Sequence, residues 1–199
     1  MPKLYEDLDD DSAHEITVLS DEIQDIKKAM TKKFPQLDLS QVLPIDERIC
    51  AMYEGQITDT SNLKRIFNTN LGYSRVPFPM VPKDAADPSQ VVLNFNARFF
   101  WEDVPFGLVI LKDIARIMGV ATPNVDKQII FHQKFMPIKY VDDEGNFLPD
   151  ALKDTGAPSR YGITTPEQLV STSLSMQPDL TGAKDIFFPS KEHLNINKL

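Results

Sequence analysis

One cysteine, Cys50, stands in 199 residues. A single thiol closes no internal disulfide, which fits a reducing compartment, and within "ERICAMYEG" it reads as a small buried apolar residue. Glycine is scarce, at eight residues with none clustered. That excludes the loops that cradle phosphates, both Gly-x-Gly-x-x-Gly after a strand and Gly-x-x-x-x-Gly-Lys-Ser/Thr. The three histidines, His14, His132 and His193, lie far apart with no cysteine beside them, so no metal-binding spacing is present. A Gly-x-Ser-x-Gly nucleophile elbow is missing as well. Apolar runs are short: "FGLVIL" falls far below the roughly 20 residues that span a bilayer. "MPKLYEDLDDD" lacks the apolar stretch of a secretory signal. The expectation is a soluble, cytoplasmic protein with no membrane partner.

Positive charge is in deficit. Net charge is −8, and Lys and Arg form no stripe. Phosphate backbones are bound by clustered basic residues, so nucleic acid is not an expected partner. The acids gather at the start, from Glu6 to Glu15, where a helix N-terminus explains them.

What is present is helical periodicity interrupted by proline. Residues 12–34 carry Ile16, Leu19, Ile23, Ile26 and Met30 on one face, with Ser12 and Glu15 spaced as a capping box. A second helix is predicted over 43–55, with Ile45, Ile49 and Met52 on one side and Gly55 as terminator. A short third helix follows an Asp59/Thr60 cap. Pro77, Pro79, Pro82 and Pro88 then forbid a helix across 71–90, which must cross as an ordered segment or a loop. Helicity returns over 104–119, with Pro105 in the first turn, Leu108, Leu111, Ile114 and Met118 on one face, and Gly119 at the end. Another helix is expected over 122–136, with Thr122 as N-cap and Val125 and Ile129 on related faces. His132 there reads as a half-buried helix-face residue. A small hairpin around Glu144-Gly145, a turn at "GAPSRYGI" and a last helix over 164–176 behind Thr165 complete the pattern, and the tail from Gln177 has no periodicity. The fold class is mainly α: one helical bundle domain over residues 1–199, with long proline-marked connections.

The segment "ARFFWEDVPFGLVILKDIA" sets Arg98, Glu102 and Asp103 against the most apolar part of the chain. On spacing alone, Arg98 forms a salt bridge with Glu102 or Asp103, and Asp103 caps a helix starting near Pro105. Phe99, Phe100 and Trp101 read as core. Asn70 and Tyr73 are explained as turn residues or as the lining of a cleft.

Several segments together resemble the C-terminal helical domain of the octopine/nopaline (opine) dehydrogenase family. "LYEDLDDDSAHEITVLSDEIQDIKKAM" is similar to its first helix, "IFNTNLGYSRVPFP" to its proline-bearing crossing and "TGAPSRYGI" to its P-x-RYGI turn. "ARFFWEDVPFGLVILKDIARIMGVATPNVDKQI" resembles the family's R-(aromatic)-x-x-E-D-(V/I)-P-x-G-L…GV-x-TP block, the most specific of these matches. The likeness runs from about residue 4 to about residue 174. It implies an NAD(P)H-dependent oxidoreductase that reductively joins an amino acid to a 2-keto acid. It further implies that Arg98 holds the keto-acid carboxylate, that Asp103 orients a catalytic histidine lying upstream of the first helix, and that Asn70 and Tyr73 line the cleft. The partner implied is a Rossmann dinucleotide-binding domain, fused or separate, which these 199 residues do not contain. The isolated chain is then expected to be inactive, with no metal. The alternative is a non-catalytic binding or oligomerisation module of the same descent, forming a homodimer through its former docking face.

Overall fold

The computed structural model describes residues 2–175. They fall into two compact units divided after Gly162.

In the first unit, α1 spans Asp10–Lys33. It begins before Ser12 because Asp9, not Ser12, is the cap: the Asp9 carboxylate accepts from the Ser12 backbone N–H at 2.8 Å. That N–H, with the Ser12 side chain, holds the Asp9 carboxyl below the usual carboxylate range. Glu15 leaves the predicted capping box and instead accepts from Lys127 and Gln128. Helix α2, Ile45–Met52, buries Ile49, but Met52 is 58% exposed, against the predicted face. Helix α3, Leu63–Asn68, is capped by Asn62 rather than by Asp59 or Thr60; its side chain accepts from the Arg65 N–H at 3.0 Å. Ile49, Ile66 and Phe67 form one core cluster, packed by Tyr5, Ile16, Cys50 and Tyr73.

The proline-marked crossing carries no α-helix, as expected, but it holds a hairpin the sequence did not suggest. Strand β1, Met80–Asp84, pairs antiparallel with β2, Asp87–Leu93, in the register Val81↔Val92 and Pro82↔Val91. Pro82 and Pro88 hide the strands in the sequence. They are tolerated because every strand of a two-stranded ribbon keeps a free edge, where proline interrupts no ladder.

The apolar block that follows is one kinked helical segment: α4, Arg98–Asp103; a π-helical turn, Val104–Leu108; and α5, Val109–Met118. Helicity therefore starts at Arg98, not near Pro105. Asp103 lies inside the segment and makes no side-chain cap, so the predicted capping role is not what it does. Pro105 sits in the π turn, where the regular ladder is already broken and its missing N–H costs least. The widened turn inserts one residue, which rotates each later position by about 100°. Val109, Asp113, Ala115 and Ile117 are the fully buried positions, while Leu108 and Leu111 of the predicted face pack half-buried against the core. Gly119 ends α5 with φ +70, as predicted.

Helix α6, Pro123–His132, buries Val125 and Ile129 completely. Thr122 occupies its N-cap position but makes no side-chain cap bond. Glu22 of α1 does the capping instead. Its Oε1 accepts from the Asn124 backbone N–H at 2.7 Å and the Asn124 side chain at 2.9 Å, and its Oε2 accepts from the Val125 N–H at 2.9 Å. Val104, Val109, Val125, Ile129, Tyr140 and Ala157 belong to the second core cluster.

The small hairpin forms where predicted, bridging Val141 to Phe147, with Gly145 at φ +84. A Cβ at Gly145 would stand 2.8 Å from Oδ2 of Asp126, which is ion-paired to Lys112. Gly145→Ala adds that clash to left-handed strain, and should lower the melting temperature by roughly 5 °C, about 2 kcal/mol. Gly119→Ala, strained but facing open space, should cost less in the same melt. The "PSRY" turn, Pro158–Tyr161, is tied to α5 by the buried Asp113, which accepts from the Ser159 N–H at 2.7 Å and from Arg116 at 2.8 Å.

In the second unit, α7 runs Pro166–Ser175. Thr165 Oγ1 accepts from the Gln168 N–H, and Gln168 Oε1 accepts from the Thr164 and Thr165 N–H groups, a reciprocal cap as the sequence suggested. Met176 and the predicted irregular tail lie outside the described residues.

Candidate functional site

Arg98 and Asp103 stand at the two ends of one short helix, α4, in different surroundings. Arg98 opens α4, and its side chain is 76% exposed. Its Nε donates to Oε2 of Glu102 at 3.1 Å and its Nη2 lies 2.9 Å from the same oxygen in an ion pair, so of the two predicted acids it takes Glu102. Among the described residues, the Asp103 side chain accepts no hydrogen bond. Desolvation raises its carboxyl above the ordinary range, the negative Glu102 beside it adds to that, and Arg98 opposes both.

Asp103 lines a cavity of about 560 Å³ with Ile23, Phe99, Phe100, Leu111 and His132. A second cavity, about 310 Å³, is walled by Phe78, Phe95, Phe99, Phe100, Phe135 and His132. A larger hollow of about 670 Å³ lies elsewhere, among Glu15, Lys127 and Glu144, and contains none of the predicted site residues. Its mixed lysines and acids are a solvated ion-pair surface, so the smaller cavities are the better candidates. Of the three aromatics read as core, Phe100 is buried, Trp101 is half-buried against the second cluster, and Phe99 is 40% exposed and lines both cavities.

His132 reaches this site through tertiary packing. It is half-buried on α6, as the sequence suggested, but it faces the cavity of Asp103, which α4 supplies. No local pattern announces a cavity shared by residues some thirty positions apart, so the sequence reading missed it.

Tyr73 stacks on Tyr5 at 4.4 Å and on Phe67 at 5.7 Å, and meets Tyr53 at 4.7 Å. Burial first, then a hydrogen bond with Tyr53, pushes its phenol far up, so it is a neutral group at every physiological pH. Tyr5 is raised by burial, by Tyr53 and by the charge of Asp103, which sets the tyrosine cluster and Asp103 in one neighbourhood. Asn70 is 2% exposed. Its Oδ1 accepts from the Gly72 N–H at 2.9 Å, and its Nδ2 has no partner among the described residues.

Chemically, the arrangement offers an exposed guanidinium fork suited to a carboxylate. Beside it stand the exposed Asp103 carboxylate and aromatic walls. Among the described residues no group of three His, Cys, Asp or Glu side chains could hold a metal ion, and no helix is long and apolar enough to cross a membrane.

Residues 2–136 match the family model described as the NAD/NADP octopine/nopaline dehydrogenase alpha-helical domain. Tauropine dehydrogenase of Arabella iricolor is 34% identical over 169 residues, covering 85% of this chain and 42% of that protein. Octopine dehydrogenase of Pecten maximus is 29% identical over 170 residues, covering 85% and 41%. Octopine dehydrogenase solved with NADH and L-arginine superimposes with TM-score 0.78 at 29% identity, over 86% of this chain and 41% of that one. The structure with NADH and agmatine gives TM-score 0.79 over the same shares. The chain thus spans about two fifths of the length of these relatives.

Proposed function

The chain belongs to the octopine/nopaline dehydrogenase family through its alpha-helical domain, and from that premise we propose that it is the substrate-side domain of an opine dehydrogenase-type oxidoreductase. Such an enzyme reductively condenses the amino group of an amino acid with a 2-keto acid. Arg98 grips the keto-acid carboxylate, and Asp103 orients the histidine that exchanges a proton at the reacting centre. Tyr73 packs the neighbouring wall, and Asn70 holds the turn behind it from inside.

The observation that carries this reading is the presence of an exposed guanidinium and a cavity-lining carboxylate on one short helix. Glu102 occupies the guanidinium edge that a substrate carboxylate would grip, and an exposed pair of this kind is worth under about 1 kcal/mol, so exchange is cheap. A carboxylate whose charged form Arg98 favours suits the orientation of a proton-transferring histidine, whose cationic form it stabilises.

NAD(P)H supplies the hydride in this family. The scarce glycines form no phosphate cradle in this chain, so no residue here is assigned to the dinucleotide. A Rossmann domain, fused or separate, would bring it. Phe99, Phe106, Phe131 and Phe135 are each at least 40% exposed, and apolar surface of this kind suits the docking of such a domain.

Reconstitution with a dinucleotide-binding domain of the family tests the reading. NADH oxidation should appear with an amino acid and a keto acid present. Arg98→Ala should lower kcat/KM for the keto acid by about 100-fold, with Arg98→Lys between the two. Equal rates for wild type and Arg98→Ala would refute the assignment of the site.

A further inference from the structure

Helix α4 carries one guanidinium, Arg98, and two carboxylates, Glu102 and Asp103. Arg98 and Glu102 are spaced i and i+4, so their side chains meet on one face of the helix. Both are exposed, and Nε of Arg98 donates to Oε2 of Glu102 at 3.1 Å. Asp103, one position on, lines the 560 Å³ cavity instead.

A carboxylate against the edge of a guanidinium is also what a keto acid would present to Arg98. Glu102 is thus a tethered copy of that group, held where the ligand has to come. Its charge is felt further along the helix: desolvation raises the Asp103 carboxyl, and Glu102 adds to the rise. Among the described residues, no lysine or arginine lines either aromatic-walled cavity, so Arg98 alone stands against two acids. The outcome then depends on the charge of the ligand. A monoanion exchanges with Glu102, one carboxylate for another. A dianion brings a second carboxylate to a place with surplus negative charge and no second cation.

We propose that Glu102 is a specificity-determining residue, which competes with the keto acid for Arg98 and disfavours keto acids that carry a second carboxylate. This rests on the assignment of the keto-acid carboxylate to Arg98 given above. Competition sets the affinity: freeing an arginine from an exposed pair of this kind is worth about threefold. Repulsion sets the preference: like charges a few ångströms apart at a protein surface change affinity by about tenfold.

Titration of the 199-residue chain with two keto acids separates the two effects. One is 2-oxoglutarate. The other is 5-methyl-2-oxohexanoate, in which a branched methyl pair replaces the second carboxylate at nearly the same shape. Binding is followed by the side-chain ¹⁵Nε resonance of Arg98 at low ionic strength, where exposed charges are least screened. Wild type should prefer the monoanion by about tenfold. Glu102→Gln, which keeps the shape and discards the charge, should bind the monoanion about threefold more tightly. It should gain about tenfold or more for 2-oxoglutarate, so the preference narrows several-fold. A residue that only braced the helix would move both acids alike. Weaker binding in Glu102→Gln would make Glu102 a support for the guanidinium. That result, an unchanged preference, or no binding of either acid to Glu102→Gln would each overturn the proposal. Arg98→Ala is the separate arm. If it abolishes binding while Glu102→Gln alters neither affinity nor preference, only the role of Glu102 fails. If both acids bind Arg98→Ala as they bind wild type, the carboxylate assignment itself fails.

Discussion

Glu22→Ala should destabilise the first unit by about 3 kcal/mol and unfasten the first turn of α6. The carboxylate is 6% exposed and accepts three N–H donors, two of them backbone groups at the start of that helix. Truncation strands those donors away from water, at about 1–3 kcal/mol for each that finds no new partner. It also removes a negative charge from the positive end of the helix, worth up to about 1 kcal/mol. Thr122 provides no substitute, since its side chain makes no cap bond. Urea unfolding should show a lower midpoint at unchanged slope, and amide exchange should quicken at Asn124 and Val125 before the rest of α6. Glu22→Gln keeps an acceptor for one donor and should fall between. An unchanged midpoint in Glu22→Ala would mean that the carboxylate is a passenger.

The second large effect lies in catalysis. In the assembled enzyme, Asp103→Asn should lower kcat by roughly 10³- to 10⁴-fold, the scale set when an amide replaces the carboxylate that orients a catalytic histidine. The amide fits the same space, so the folded state survives and the loss is one of charge and tautomer control. The pH profile gives the independent check. Desolvation and Glu102 raise the Asp103 carboxyl above the ordinary Asp value of about 3.9. Its ionised form is therefore lost as pH falls through that raised value, and the wild-type acid limb should include a step above the ordinary range. Asp103→Asn should abolish the step. Arg98→Ala removes the one influence that lowers this pKa, so the step should move to still higher pH. A pH profile identical in all three proteins would argue against ionised Asp103 as the working form.

Periodicity carried much of this fold into view before any coordinates. Val125 and Ile129 sit on the predicted face of α6, Gly119 ends α5, and Thr165 caps α7. These are local signals, fixed by helix geometry and by the freedom of glycine at positive φ. The failures share a different origin. Glu22 stands among the apolar positions of α1 as one more acid, and only α6, about a hundred residues later, gives it donors. Pro105 has the look of a first-turn proline, yet it sits within a π turn that no sequence period encodes. The strands at 80–93 were concealed by their own prolines. At the site, Arg98 and Asp103 stood out because charge against an apolar block is conspicuous. His132 did not, because what makes it interesting is the cavity that α4 and α6 enclose together.

The two-stranded ribbon has a bearing on how this chain behaves in solution. Val81, Val91 and Val92 are each more than a third exposed, and a ribbon has two open edges. Such edges invite strands of other molecules. Pro82 in one strand and Pro88 in the other each remove a donor, while Lys83, Asp84 and Asp87 set charge at the turn end. An incoming strand would meet gaps in the hydrogen-bond ladder and would have to desolvate charged side chains. The prolines that obscured the strands in the sequence thus make this ribbon a poor template for an added strand, even with apolar side chains at its surface.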